Sequence, residues 1–357
     1  MEESASSKSQ RGSAERSDGH AEPFNVGGMR AWILNECPGP YEWAEDVPDP
    51  VAGPGEVRVK VVASALNHMD LWVTRGLPKP PLPHVPGCDV AGWVDQVGEG
   101  VTGLAEGDRV VINPGVSPIE EVVALGNDSP MGVGFMIYGE HCWGGHGTYA
   151  VAPARNIVAA PESRTWEELA AYPLAYLTAY RMLRRARLRA GDTLLVVGVG
   201  SGVSTAALAL GRRMGAEVVA TSRSEAKREQ ALSLGAVAAY DSADRSWPVE
   251  ADVVVESVGP ATWEQSVRAL KAGGRLVVCG GTSGPKVELN LPRLFFKQIE
   301  ILGSTMGSYE EFAEVTDLVG LGLAIQVDEV FGLEDYQAAL ERLENGHQLG
   351  KIVLRHE

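Results

Sequence analysis

Immediately after the apolar run Thr193–Val197 the chain reads Gly198-Val199-Gly200-Ser201-Gly202-Val203, and the helix-like segment STAALALGRRMG follows. A strand, a glycine turn and a helix in that order make a phosphate site. The first glycine permits the tight turn, and the second lets backbone approach a pyrophosphate. The helix start then supplies free N–H groups at the positive end of its dipole. G-x-G-x-x-G alone is a weak pattern, which the strand before it and the helix after it strengthen. Val203 stands where a third glycine is expected, with Gly202 one residue early; that leaves the pitch of the helix open, not the phosphate site. A bare packing turn and a methyl-donor site are the alternatives. The next strand-like run ends VVATSRSEAK, where an acid would favour the ribose 2′-hydroxyl of NAD and a cation the 2′-phosphate of NADP. Ser222 replaces the acid, Arg223 follows it, and Lys227 lies a helical turn further on, so the expected cofactor is NADPH unless both cations are only solvated surface charges.

The elements that must hold this turn are legible in the hydrophobic rhythm. From 161 to 299, strand-like runs (TLLVVG, EVVATS, DVVVES, RLVVCGG) alternate with helix-like ones, which implies a doubly wound parallel sheet of Rossmann type. Ser224 stands as a helix N-cap and Gly235 as its terminator. Residues 29–160 give short apolar runs (MRAWIL, EVRVKVVAS, DVAGWVDQVG, DRVVINP) broken by Pro and Gly, an antiparallel β unit. Residues 300–357 return to mixed strand and helix and are expected to rejoin that first unit. Residues 1–28, rich in Ser, Glu, Arg and Gly, read as a disordered tail, and Met29 is a candidate translation start.

Composition bounds the rest. The 357 residues suffice for two ordinary domains, and 45% hydrophobic with 22% charged residues is globular. A net charge of −16 opposes binding to nucleic acid or an acidic membrane. Cys37, Cys88, Cys142 and Cys279 are scattered without a C-x-x-C pair, which suits free thiols in the cytoplasm. No apolar run approaches the roughly 18 residues of a membrane span, and no signal-peptide core is present.

With the segments ALNHMDLWVTRG, PHVPGCDVAGWVDQVGEGV, GDRVVINPG, GEHCWGGHGTYAVAPARN, PLAYLTAY and LGKIVL in view, residues 29–353 resemble the medium-chain dehydrogenase/reductase superfamily, within it the quinone oxidoreductase and zinc-type alcohol dehydrogenase-like members. The resemblance implies a GroES-like β domain built from both chain ends, an inserted Rossmann domain, an active site between them, and commonly a homodimer. Where zinc members carry metal ligands, this chain has Asn67, Cys88 (in Gly87-Cys88-Asp89) and Leu174, and the cysteine-rich lobe that follows N-P-G in the family has no cysteine here. Zinc is not expected. His141, Cys142 and His146 are ligand types, but the resemblance assigns that stretch to loop and strand.

The same resemblance places Asn67 and Asp70 in the cleft, with the Asn67 amide orienting an acceptor oxygen and Asp70 either chemical or a structural anchor. It puts Thr178 beside the nicotinamide, Gly280-Gly281-Thr282 along the ribose, and Gly350 and Lys351 near the cofactor, with an exposed strand charge as the alternative for Lys351. His68 and Cys88 are candidate proton donors, with water as the alternative. Trp72 and Trp143 form either an aromatic wall for flat acceptors or ordinary packing. Three functions stay open: an NADPH-dependent reductase of quinones, enones or small carbonyls, an enoyl-thioester reductase, and a non-catalytic NADPH-binding sensor or scaffold.

Overall fold

Along Thr193–Val196 and the residue after it, successive side chains enter two different cores. Leu194 and Val196 pack with the helices Pro173–Arg185 and Gly202–Arg213, whereas Leu195 and Val197 pack with Trp247, Trp263 and Val267. A strand covered on both faces needs an unbroken apolar run, which is why TLLVV shows no polar alternation. The computed structural model, which describes residues 28–356, makes this strand a central member of a six-stranded parallel sheet. The order is Ala238–Tyr240, Glu217–Thr221, Thr193–Val196, Ala251–Glu256, Leu270–Val278, Glu300–Gly303. The chain builds outward from Thr193–Val196 on one side, then returns to build on the other. That reversal opens a crevice at the carboxyl ends of Thr193–Val196 and Ala251–Glu256. The glycine turn lies there. The expected caps form: the Ser224 hydroxyl accepts the Lys227 N–H at 3.4 Å, and Gly235 adopts φ +96°.

The second sheet joins the two chain ends. Lys351–Arg355 pairs antiparallel with Glu56–Ala65, with Val353 opposite Ala65, and parallel with Val327–Gly332. Asp89–Val97, Arg109–Ile112 and Ile157–Ala159 extend the sheet from Glu56–Ala65, which also pairs with Tyr149–Pro153. The GroES-like and Rossmann architecture read from the sequence is the one observed.

Two boundaries differ from the sequence reading. Glu300–Gly303, assigned above to the first unit, pairs with Leu270–Val278 as the last strand of the parallel sheet. Leu291–Phe296 lies between the two parallel strands, so this is one more βαβ step that a four-residue strand cannot announce. Conversely Trp166–Ala171, assigned to the Rossmann unit, places Leu169 and Ala170 in one core with Ala63, Ala65 and Ala91 of the β domain. The expected N-terminal tail, except Gly28, and the question of where translation starts lie outside the described residues. Among those residues no helix is long and apolar enough to cross a membrane.

Candidate active site

A cleft of about 1160 Å³ runs between the two sheets. Its Rossmann side begins at the glycine turn, where Gly200 has φ +144°, a conformation that L side chains rarely adopt. Gly202 answers to space instead: a Cβ there would lie 2.6 Å from the Lys351 Cδ. Ser201 caps the helix Gly202–Arg213 by accepting the Ser204 N–H. The amides of Gly202 and Val203, in the first turn, have no intrahelical carbonyl and are left for an anion. Gly198, Gly200, Ser201, Gly202, Val203, Ser222, Arg223 and Lys227 all line the cleft, as do Thr178, Gly280 and Thr282. Gly281 does not; it borders a neighbouring cavity on the far side of that turn.

The two candidate cations differ. Arg223 is exposed at the cleft mouth, while its neighbour Arg228 takes Asp241 at 3.3 Å. Lys227 is committed: its Nζ donates to the Gly346 carbonyl at 2.7 Å, tying the Rossmann helix to the chain's C-terminal part, and partial burial lowers its pKa. A second tie lies beside it, where the Gly350 N–H donates to the Gly200 carbonyl at 3.0 Å. Gln348, between the two, is buried with its Oε1 unpaired by protein and lines the cleft. The sequence reading did not single it out.

At the other end the sequence-selected residues separate into two groups. Lys351 is 3% exposed, and its Nζ donates to Leu66 O at 2.6 Å, Asn67 Oδ1 at 2.7 Å and Asp89 Oδ2 at 2.6 Å. An ammonium has three donors, and all three are used. Asn67 Nδ2 donates back to Asp89 Oδ2 at 2.9 Å, and Asp89 Oδ1 accepts the Leu174 N–H at 2.7 Å. The Asn67 amide, expected to orient an acceptor oxygen, is therefore held by Lys351 and Asp89. Lys351 is a buried structural cation that borders the cofactor cleft. In the sequence Asp89 stands beside Cys88 with no local signal of this role, because its partner Lys351 lies 262 residues away.

Asp70 is the anchor alternative. It is buried and outside the cleft lining; Oδ2 accepts the Asn67 N–H at 2.7 Å as a capping box for His68–Val73, and Oδ1 accepts from the Tyr336 hydroxyl at 3.3 Å. Cys88 also fails as a proton donor: it is buried, its Sγ lies 3.1 Å from Met69 Sδ, and burial pushes its thiol well above the ordinary range. Trp143 packs with the first hairpin and donates to Pro83 O, whereas Trp72 lines the cleft. His141 accepts the Ile137 N–H and His146 is buried against Ser64, and among the described residues no group of three or more His, Cys, Asp or Glu could hold a metal ion.

What remains at the acceptor end is mostly apolar: Met69, Trp72, Leu77, Ile137, Leu174 and Met306. Met306 adopts φ +46°, unusual for a residue with a side chain, and receives the Thr178 hydroxyl at 3.9 Å on its sulfur. The titratable side chains His68 and Glu140 line the cleft with them. Burial, with Lys351 nearby, lowers the His68 pKa, so its imidazole is neutral near pH 7.

This geometry has known counterparts. A family model for the alcohol dehydrogenase GroES-like domain matches residues 53–162, and one for zinc-binding dehydrogenase matches residues 202–320. A zinc-type alcohol dehydrogenase-like protein of Schizosaccharomyces pombe is 32% identical, over 85% of this chain and 91% of its own. Acryloyl-coenzyme A reductase of Metallosphaera sedula is 30% identical over 91% and 99%. The crystal structure of an NAD-dependent alcohol dehydrogenase superposes with a TM-score of 0.87 at 39% identity, over 92% of this chain and 99% of its own.

Lys351→Met leaves the Asp89 carboxylate buried without its cation. The expected cost is about 3–5 kcal/mol, read as a lowered denaturant midpoint, with part recovered in the Lys351→Met/Asp89→Asn double variant. A loss under about 1 kcal/mol, as for an exposed pair, would show the network to be dispensable.

Proposed function

The chain belongs to the medium-chain dehydrogenase/reductase superfamily, and from that premise we propose that it is a zinc-independent reductase using NADPH to reduce a quinone, an enone or a small carbonyl. As a member of that superfamily it is a nicotinamide-dependent oxidoreductase. The observation that carries the finer reading is the cleft itself, which joins unpaired amides at a helix start to an apolar chamber across a span lined by Thr178, Gly280 and Thr282. When bound, the reduced nicotinamide supplies hydride. The chain's part is to fix the geometry, exclude water with Met69, Trp72, Leu77, Ile137, Leu174 and Met306, and manage one proton.

Zinc independence rests on the chemistry of the donor positions. Leu174 has no donor atom, the Cys88 thiol is held protonated by burial, and the ammonium of Lys351 sits 2.6 Å from Asp89 with like charge to any metal. These residues do not fit zinc. Preference for NADPH rests on Ser222 in place of an acid and on the exposed guanidinium of Arg223 at the mouth. Reduction of an enoyl thioester is the second reading, favoured by the likeness to an acryloyl-coenzyme A reductase.

We also propose a homodimer. Glu300–Gly303 is an edge strand, and the preceding helix exposes Leu291, Phe295 and Phe296, an apolar patch beside unpaired strand backbone. Phe296→Glu should shift the sedimenting species from dimer to monomer; a wild type that sediments as a monomer overturns this assignment.

Purified protein should oxidise NADPH only when a quinone, enone, aldehyde or acryloyl thioester is present, and a chelator should leave the rate unchanged. Tight NADPH binding without turnover on any acceptor would point to a sensor instead. Arg223→Ala should raise the KM for NADPH about tenfold or more and leave NADH unaffected, since a guanidinium–phosphate contact is worth about 1.5–3 kcal/mol. Equal effects on both cofactors would count against the 2′-phosphate contact.

A further inference from the structure

Reduction of a carbonyl or an activated alkene adds a hydride and a proton, and the groups near the acceptor chamber are mostly spoken for. Asn67 and Lys351 are bound to each other and to Asp89, Asp70 caps its helix away from the cleft, and Cys88 is sealed against Met69. The Thr178 hydroxyl is too weak an acid, and the neutral imidazole of His68 offers only a weakly acidic N–H.

Glu140 is placed differently. It is 8% exposed, borders the cleft, and follows a turn fixed by its own N–H donating to Ile137 O at 3.2 Å. Its Oε1 lies 3.9 Å from His141 Nδ1, beyond hydrogen-bond reach, and that nitrogen takes the Ile137 N–H at 3.1 Å. The other titratable groups around it are Asp70 and His68 from the helix His68–Val73, the Cys88 thiol before Asp89–Val97, and His84, whose Nε2 meets the Gly139 carbonyl at 3.1 Å; burial lowers the pKa of both histidines, His84 to about 4, so none of these groups is a cation near pH 7. Burial first, and Asp70 second, raise the Glu140 pKa to about 7.

We infer that Glu140 is the general acid of the reduction, donating its carboxyl proton to the acceptor as hydride arrives. This rests on the reductase reading above. For a carbonyl, hydride adds to carbon, the C=O π pair moves to oxygen, and that oxygen takes the Glu140 proton. For an enone, hydride adds to the β carbon and the proton goes to the resulting enolate. Glu140, left as carboxylate, recovers its proton from water through the cleft mouth. A group with this acidity suits transfer near neutral pH, because enough of it is protonated and the proton still leaves readily.

The test compares wild type with Glu140→Gln, which keeps size and polarity but cannot ionise, and Glu140→Asp, which still can. Wild-type kcat should fall about tenfold per pH unit above an apparent pKa near 7, as loss of one required proton dictates. In Glu140→Gln that limb should disappear and kcat drop by about 10²–10⁴-fold with the Kd for NADPH unchanged, whereas Glu140→Asp should retain a limb. Without cofactor, infrared titration of the wild type should lose a protonated-carboxyl band as pH rises through neutrality, and Glu140→Gln should lack that band. Turnover of Glu140→Gln with the limb intact, or absence of the band in wild type, overturns the assignment while the reductase reading stands. Absence of wild-type turnover on every acceptor overturns both.

Discussion

Lys351 carries a positive charge into a site almost closed to solvent, and its surroundings make sense as the means of keeping it there. Desolvating an ammonium costs several kcal/mol unless a nearby anion and a full set of hydrogen-bond acceptors compensate. Asp89 supplies the anion, and Leu66, Asn67 and Asp89 supply three acceptors. These partners come from the end of Glu56–Ala65 and the start of Asp89–Val97, while Lys351 opens the C-terminal strand. The remaining Asp89 oxygen holds the start of Pro173–Arg185, whose other face belongs to the Rossmann core. One buried ion pair therefore fastens both chain ends and the domain junction at a single point.

That fastening shapes the cleft. The Lys351 stem packs where any side chain at Gly202 would stand, so the helix that receives the cofactor phosphate can approach only because residue 202 is glycine. The hydrogen bonds from Gly350 to Gly200 and from Lys227 to Gly346 hold the glycine turn against the C-terminal segment. At the acceptor end the same network takes Asn67 out of play. Of the titratable side chains that line the cleft, two are pushed in opposite senses by their environments: His68 toward the neutral base, Glu140 toward the neutral acid.

Much of this was legible in the sequence for a local reason. Strand, turn and helix at Thr193–Arg213 are set by near neighbours: β-branched and leucine runs, glycines where the turn requires them, a serine cap. The same holds for Ser224 and Gly235, and the segment patterns of the superfamily extend that reading over both domains. Local signals fail where a short element must choose its partner. Glu300–Gly303 is four residues with no mark of the sheet it joins, and Trp166–Ala171 could have served either core.

The sequence by itself determined the fold class and the dinucleotide turn, because each is a property of residue type and short-range order, and its resemblance to the superfamily marked Asn67, Cys88 and Leu174 as standing at metal-ligand positions. Tertiary structure alone decided the roles. Whether a side chain acts on a ligand or holds the protein together depends on which groups from distant segments consume its donors and acceptors. Lys351 and Asp89 are 262 residues apart. Their meeting turned Asn67 from a ligand contact into a strut, and it left Glu140, unremarkable in the run GEHCWGG, as a carboxyl lining the cleft, with burial and a neighbouring carboxylate to raise its pKa.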